Sequence, residues 1–259
     1  MINSLYIAET GLNAQKTLVD VISNNIANVN TAGYKKAQVN FVDLVYNGDV
    51  NKLDKDPAAG NVSGELQGVH VSSIQQDLSS GNLKFTQHPF DLAIQGEGFI
   101  AVDLKEGSTG YTRVGRLRID QDGFLTTTQG HRLSNMISVP SDIGSIAITQ
   151  DGTVRGLVDG EPDWIDLGQI ELSRFVNASA LVAQGDGVFL ATEEAGLMTT
   201  GIAGEDGMGN LLQGYTEESN VSMVEEMVNL VVAQRGYQLN ARVIQVSDQL
   251  METINNLSR

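Results

Sequence analysis

Leu5, Ala8, Leu12, Gln15, Val19, Ile22, Ile26 and Val29 follow one another at alternating steps of three and four residues, and seven of these eight are apolar. That is a seam of period 3.5, the spacing that keeps one stripe of a helix facing a partner helix. The other end of the chain repeats the pattern. After Asn220, an N-cap residue type, Met223, Met227, Leu230, Tyr237, Ala241, Ile244 and Met251 mark one stripe, and Val243, Val246, Leu250, Ile254 and Leu257 widen it. Fully burying one aliphatic side chain contributes about 1.5–3 kcal/mol. A seam of seven such positions therefore represents on the order of 10 kcal/mol that a lone helix forgoes. The two ends of the chain are expected to be helices that need each other or other copies.

Between them the pattern changes. Asp-Gly occurs at 122–123, 151–152, 159–160, 186–187 and 206–207, each beside a short apolar or β-branched run such as "FLTTT", "TVRGLV" or "VFLAT". Asp-Gly suits type I′ hairpins, whose two central residues both need positive φ. Residues 47–68, "NGDVNKLDKDPAAGNVSGELQG", carry neither period and read as an extended connector. The expected fold is α+β: a discontinuous coiled coil of N- and C-terminal helices, plus a central β-rich domain of hairpins with an extended connector. The boundaries fall at 1–45 for the N-terminal helix and its following segment, 46–75 for the connector, 76–216 for the β-rich domain and 217–259 for the C-terminal helix.

Charge and composition narrow the function. The formal charge is −16, with sixteen basic residues against thirty-two acidic ones, which disfavours nucleic acid and anionic membrane surfaces as partners. The ends are nearly neutral: Lys16, Lys35 and Lys36 face Glu9 and Asp20 in the first 36 residues, so most of the negative charge lies in the middle. Such a chain can associate through its ends while its centre stays solvated. There is no cysteine, hence no disulfide framework and no thiolate site. The start "MINSLYIAETGLNAQ" has no basic n-region or apolar run of a cleavable signal peptide, and no run approaches the length of a membrane span.

Motifs for chemistry are weak. "IQGEGFIA" has G-x-G-x-x-A spacing, but a strand pattern, "FIAVDL", follows where a dinucleotide fingerprint requires a helix, so a hairpin is expected. Asp54, Asp56 and Glu65 match three positions of a calcium loop whose other positions are wrong. His70, His88 and His131 lack companions at metal spacing. Asp120 with Asp122, and Glu193 with Glu194, are carboxylate pairs of the kind expected by chance in an acidic chain. No catalytic residue, metal site or cofactor is expected.

The segment "SNNIANVNTAGYKKAQVNF" poses a different problem, because asparagine is a poor helix-interior residue. It resembles the N-terminal signature of the flagellar rod, hook and hook-associated axial proteins. "FDLAIQGEGFIAV", "YTRVGRLRIDQDGFLTTTQGHRL", "GQIELSRFVNASALVAQGDGVFLAT" and "ESNVSMVEEMVNLVVAQRGYQLNARVIQVSDQLMETINNL" continue the resemblance in family order over nearly the whole chain. Length and connector look most like the distal-rod branch. Proximal rod relatives share the end motifs, and the hook subunit usually has a longer middle. Gly236 stands where the family more often has alanine, and "HPF" replaces a more usual asparagine-proline run.

The resemblance implies a structural subunit of the basal-body rod that assembles into a helical tube and transmits torque from motor to hook. Its implied partners are further copies of itself, other rod proteins, the hook protein, the envelope ring (bushing) proteins and the flagellar export apparatus. It also implies a basal-body location in the cell envelope, reached without a cleaved signal peptide. Subunit or helix interface positions are then Leu5, Leu12, Val19, Ile22, Ile26 and Val29 in the first seam and Met223, Met227, Leu230, Tyr237, Ile244 and Met251 in the last. Asn24, Asn25 and Asn28 are polar interface candidates. Thr31, Gly33, Tyr34 and Lys35 complete the signature, with Gly33 stopping the helix. On this view a buried asparagine fixes register at some cost in stability, so Asn25→Leu is expected to strengthen association and degrade its order. A proximal rod or hook subunit of the same family, a secreted β-rich binding module with dimerising helical ends, and an acidic hydrolase stay open as alternatives.

Overall fold

A computed structural model describes residues 2–46, 65–104, 107–160 and 162–257 of the 259-residue chain. It is α+β, with a helix at the N-terminal end, strands through the middle and a helix at the C-terminal end. The chain divides into two compact units. One comprises residues 1–27, 37–76 and 222–259, and the other residues 28–36 and 77–221.

The helical unit contains α1 (Ile2–Ala27) and α2 (Met223–Leu257), of 26 and 35 residues. Between them in sequence stand β1 (Ala37–Tyr46) and β2 (Glu65–Gln76), paired antiparallel from Ala37↔Gln76 to Tyr46↔Glu65. Residues 65–75, read from sequence as connector, thus belong to a strand whose pairing with β1 shifts register twice, between Asn40 and Phe41 and between Asp43 and Val45. Their polar and apolar residues alternate too weakly to show a period, and pairing with β1 supplies the order instead. Residues 47–64, with Asp54 and Asp56, lie outside the described residues.

The first helix ends at Ala27. Gly33 does take a left-handed backbone, with φ of 71°, but it lies six residues further on, in a turn beyond the helix. Stopping the helix is therefore not its role, and Val29 too falls after the last helical residue.

The central unit is antiparallel throughout, and its largest sheet is built around the strand Phe99–Asp103. On one side that strand pairs with Thr109–Thr112 and on the other with Arg132–Leu133, while Glu171–Phe175 pairs with its first residues. Successive side chains of a strand point to opposite faces, and here both faces are buried. Ile100 and Leu172 join an aliphatic core with Leu92, Ile94, Leu125 and Leu211. Phe99 and Phe175 join Tyr111 and Phe189 in an aromatic cluster, where Tyr111 meets Phe175 edge-on at 4.8 Å between ring centres.

All five Asp-Gly glycines have positive φ, but only at 186–187 and 206–207 is the aspartate positive as well, as type I′ demands. Four of the five connect strands that pair with each other. The turn at 206–207 instead joins Met198–Ile202 to Asn210–Gln213, which pair with different strands. "IQGEGFIA" is likewise a bend and not a hairpin. Leu92–Gln95 pairs with Asn210–Gln213, and the following strand joins the large sheet. Two glycines let the chain switch sheets there, with φ of 121° at Gly96 and 133° at Gly98.

One crossing in this unit tolerates no side chain. A Cβ on Gly115 would lie 1.5 Å from the backbone oxygen of Leu92, while the Leu92 N–H donates to the Gly115 carbonyl at 2.8 Å. Backbone cannot move aside as a side-chain tip can. Gly115→Ala is expected to destabilise the central unit by about 3 kcal/mol, measured by urea unfolding followed through the single tryptophan, Trp164.

Candidate assembly surface and internal clasps

Three contacts set how the terminal helices pack. The Asn25 amide donates to Glu226 Oε2 at 3.1 Å. A Cβ on Gly236 would lie 3.1 Å from Cδ of Gln15, and one on Gly11 would lie 2.7 Å from Nδ2 of Asn240. Residue numbers fall along α1 as they rise along α2, so the helices run antiparallel, and each glycine sits under an amide side chain of the other helix. Lacking side chains, Gly11 and Gly236 allow a close approach. Gly236 is weak by helix propensity, and this packing gives it a purpose.

The close approach decides which seam residues are inside. On α1, Ala8, Ala14 and Ile22 are buried, and Leu5, Leu12, Val19 and Ile26 are partly buried. On α2 the buried positions are Glu226, Ala233 and Ser247, with Leu230, Asn240 and Ile244 partly buried. Met223, Met227, Tyr237 and Met251, expected in the seam, are each at least 40% exposed. By helical spacing Tyr237 and Met251 lie beside Ala233 and Ile244, and Met223 and Met227 on the flank of that face, so α1 leaves uncovered large side chains that border the contact as well as those opposite it.

Asn25 is the pivot of the unit, at 1% exposure. Its Oδ1 accepts the Ala37 N–H and its Nδ2 donates to the Ala37 carbonyl, both at 2.9 Å. One side-chain amide thus gives the first residue of β1 what a neighbouring strand would give it, and reaches Glu226 of α2 as well. This asparagine stabilises the interior of one chain, at the contact between its two helices. Asn24 is exposed. Asn28 caps a turn in the other unit, its carbonyl accepting the Thr31 N–H at 3.0 Å and its Oδ1 the Thr31 hydroxyl at 3.2 Å.

The rest of the signature belongs to a second clasp, inside the central unit. Lys35 and Glu217 are almost fully buried, with Nζ 2.6 Å from Oε1. Lys35 also donates to the Ser79 carbonyl at 2.6 Å. Arg113 approaches Glu217 from the other side, Nε to Oε2 at 3.0 Å. Its remaining nitrogens donate to the carbonyls of Gly98 at 3.0 Å and Gly96 at 2.9 Å. The glycine-rich bend that imitates a phosphate loop in sequence therefore turns carbonyls, not N–H groups, toward its guest, and the guest is a guanidinium. Nearby, the Gly33 N–H donates to the Glu217 carbonyl at 2.8 Å, the Tyr34 N–H to the Thr31 carbonyl at 3.2 Å, and the Lys36 N–H to Asn220 Oδ1 at 2.7 Å.

Burial opposes ionisation of Glu217, but the charges of Arg113 and then Lys35 outweigh it and hold its pKa below the ordinary carboxylate range. Burial pulls the Lys35 pKa below the usual lysine value, and Glu217 offsets this only in part. No linear spacing joins residues 35, 113 and 217, so Arg113, Glu217, Glu226 and the glycine notches went unseen from sequence. The one available signal was the pair Lys35 and Lys36 inside an otherwise uncharged signature.

The functional surface is what the helices leave uncovered. Among the described residues thirteen large apolar side chains of α2 are exposed. Val224, Val228, Val231, Leu239, Val246 and Leu250 form a second stripe on α2, roughly 140° around the helix from the face that meets α1. Tyr6, Ile7 and Phe41 of the same unit are also exposed. An exposed apolar stripe of this length marks an interaction site.

The remaining motifs are structural. Arg132 holds both Asp120, at 2.7 Å, and Asp122; hydrogen bonds from Arg132 keep the Asp120 pKa low. A carboxylate held low by an arginine, as Asp120 is, suits neither acid nor base work. Glu193 and Glu194, both exposed, open a 3₁₀ turn that buries Ala195. Among the described residues no cluster of three potential metal ligands occurs, and no helix is long and apolar enough to cross a membrane.

Three family models match the chain: "Flagella basal body rod protein" over residues 5–35, "Flagellar hook protein FlgE/F/G D1 domain" over 93–156 and "Flagellar basal body rod FlgEFG protein C-terminal" over 212–257. Among curated proteins, the flagellar basal-body rod protein FlgG of Borreliella burgdorferi is 39% identical over the full length of both chains. The FlgG of Caulobacter vibrioides is 38% identical over 98% of each. The flagellar hook protein FlgE of Salmonella typhimurium is 44% identical over 118 residues, 46% of this chain and 29% of that protein.

The two clasps yield ordered expectations. Glu217→Gln leaves two buried cations uncompensated and is expected to cost about 3–5 kcal/mol; Lys35→Met leaves a one-to-one pair and should cost clearly less, both read by denaturant unfolding. Because the folded pKa of Glu217 lies below the unfolded one, its stabilisation is complete above the unfolded value and is lost as pH falls through the folded value. The acid-unfolding curve of the Glu217→Gln variant should therefore be flatter than that of the parent below about pH 4.5. Asn25→Leu strands the Ala37 N–H and carbonyl and should destabilise the helical unit by about 1–3 kcal/mol per lost partner, seen in thermal melts.

Proposed function

The chain belongs to the flagellar basal-body rod protein family, and from that premise we propose that it is a structural subunit of the rod, of the distal type. Full-length similarity to proteins named FlgG supports this branch, whereas the hook protein FlgE shares only part of its length. The subunits polymerise through the terminal helices into a tube, with coiled-coil contacts in an inner layer and the acidic β-rich unit toward solvent. Torque passes along the tube from motor to hook. Other rod proteins and the hook protein adjoin its ends, ring proteins surround it, and the export apparatus delivers the chain without a cleaved signal.

The observation that carries this reading is the second apolar stripe of α2. Its exposed side chains represent on the order of 10 kcal/mol of unrealised burial, which is enough to drive assembly once neighbours cover them. The interface positions of the first seam, from Leu5 to Val29, serve chiefly the fold of one chain in this account. Met223, Met227, Tyr237 and Met251, exposed on and beside the face that meets α1, are further contacts between copies.

Val228 and Val246 are 58% and 48% exposed, so aspartates there should change the stability of the isolated chain by no more than about 0.5 kcal/mol. In a strain lacking the native gene, the doubly substituted chain should leave cells non-motile and without distal rods by electron microscopy, while the parent chain restores both. Normal rods built from the Val228→Asp/Val246→Asp chain would refute the proposal.

A further inference from the structure

Within the helical unit a groove of about 460 Å³ opens between α1, α2 and the β1–β2 pair, walled by Ile7, Gly11, Gln15, Phe41, Gly68 and Asn240. Its lip is apolar and open, with Ile7 42% and Phe41 41% exposed. Its depth comes from absent side chains. A Cβ on Gly68 would lie 2.2 Å from Thr10 Oγ1, so β2 reaches α1 there only as glycine. On the wall, Gln15 Oε1 is buried and accepts no hydrogen bond among the described residues. A buried acceptor left bare is costly, and so the site is chemically incomplete: it asks for an apolar occupant carrying a donor.

The second stripe of α2 has that character. Along its central turns the apolar residues Val228, Val231, Leu239 and Val246 are interrupted by two charged side chains, Arg235 and Arg242, both exposed and both donors only. The stripe points away from the face of α2 that carries Asn240 into the groove, so one chain cannot fill its own groove. We propose that the groove receives the α2 stripe of a second copy, with a stripe arginine donating to Gln15 Oε1. This rests on the reading of the chain as a rod subunit and names the contact that links its copies.

Groove and stripe are different surfaces, and therefore the contact is heterologous. Each copy offers a groove to one neighbour and a stripe to another, and such an interface propagates into an open assembly in place of closing as a two-fold dimer. Glycine at 11 and 68 gains a second use in this arrangement, since a side chain at either position would narrow the groove.

The absence of cysteine allows a clean test. Full-length chains carrying only Gln15→Cys are mixed with chains of different tag length carrying only Arg235→Cys or only Arg242→Cys, assembled into rods and oxidised. A mixed-size disulfide dimer with either arginine position supports the proposal, and it should be at least tenfold more abundant than with Asp166→Cys, an exposed position in the central unit. Gln15→Glu should also lower the concentration needed for assembly several-fold, and Gln15→Lys raise it, with thermal melts of the monomers reporting any change in folding. Rods that form without either mixed dimer overturn the groove contact and leave the rod function standing. Failure of the parent chain to form rods at all overturns both.

Discussion

The distance of closest approach between α1 and α2 governs the helical unit. Two helices come close only where the facing positions are small, and here Gly11 and Gly236 sit under Asn240 and Gln15, with Ala8, Ala14 and Ala233 nearby. Once those positions are spent on small residues, α1 leaves uncovered the large apolar side chains of α2 that border the contact as well as those opposite it. The latter form a stripe that a single chain leaves in water. A wider, leucine-filled seam would have buried more within one chain and left less for neighbours. Fold and assembly are thus alternative uses of one helix, divided by side-chain size.

Polar groups then hold the ends of this arrangement. Asn25 satisfies both backbone groups of Ala37 and touches Glu226, tying a helix end, a strand start and a second helix through one amide. In the central unit Glu217 performs a comparable task with charge, binding Lys35 and Arg113 while its own carbonyl accepts from Gly33. Buried ion pairs are weak evidence of net stability, yet breaking one is costly. What such groups secure is a single arrangement, because the misplaced alternatives leave a charge or a backbone group unpaired.

Legibility from sequence followed the range of the forces involved. Helical ends showed because periodicity is local, and the turns showed because the φ preference of Asp-Gly is local. The hairpin expected at "IQGEGFIA" was missed because whether two adjacent strands pair depends on competitors: Asn210–Gln213 claims the first strand and the large sheet the second. Gly33 does adopt the left-handed backbone expected of it. Its place beyond the helix end reflects Asn25, whose bonds to Ala37 fix where the chain must turn, and no local rule reports that.

The sequence by itself determined that both ends are helices with more apolar surface than one partner can cover, that the middle is strands, and that the acidic charge lies between. These follow from periodicity and composition, which each residue expresses regardless of its distant neighbours. Tertiary structure alone decided which face of α2 turns inward, that the signature asparagine and lysine are spent inside one chain, and that Arg113 and Glu217 meet. Each of those outcomes depends on groups up to about two hundred residues apart arriving in one low-dielectric place, where a charge or an amide must find its partner or prevent the fold.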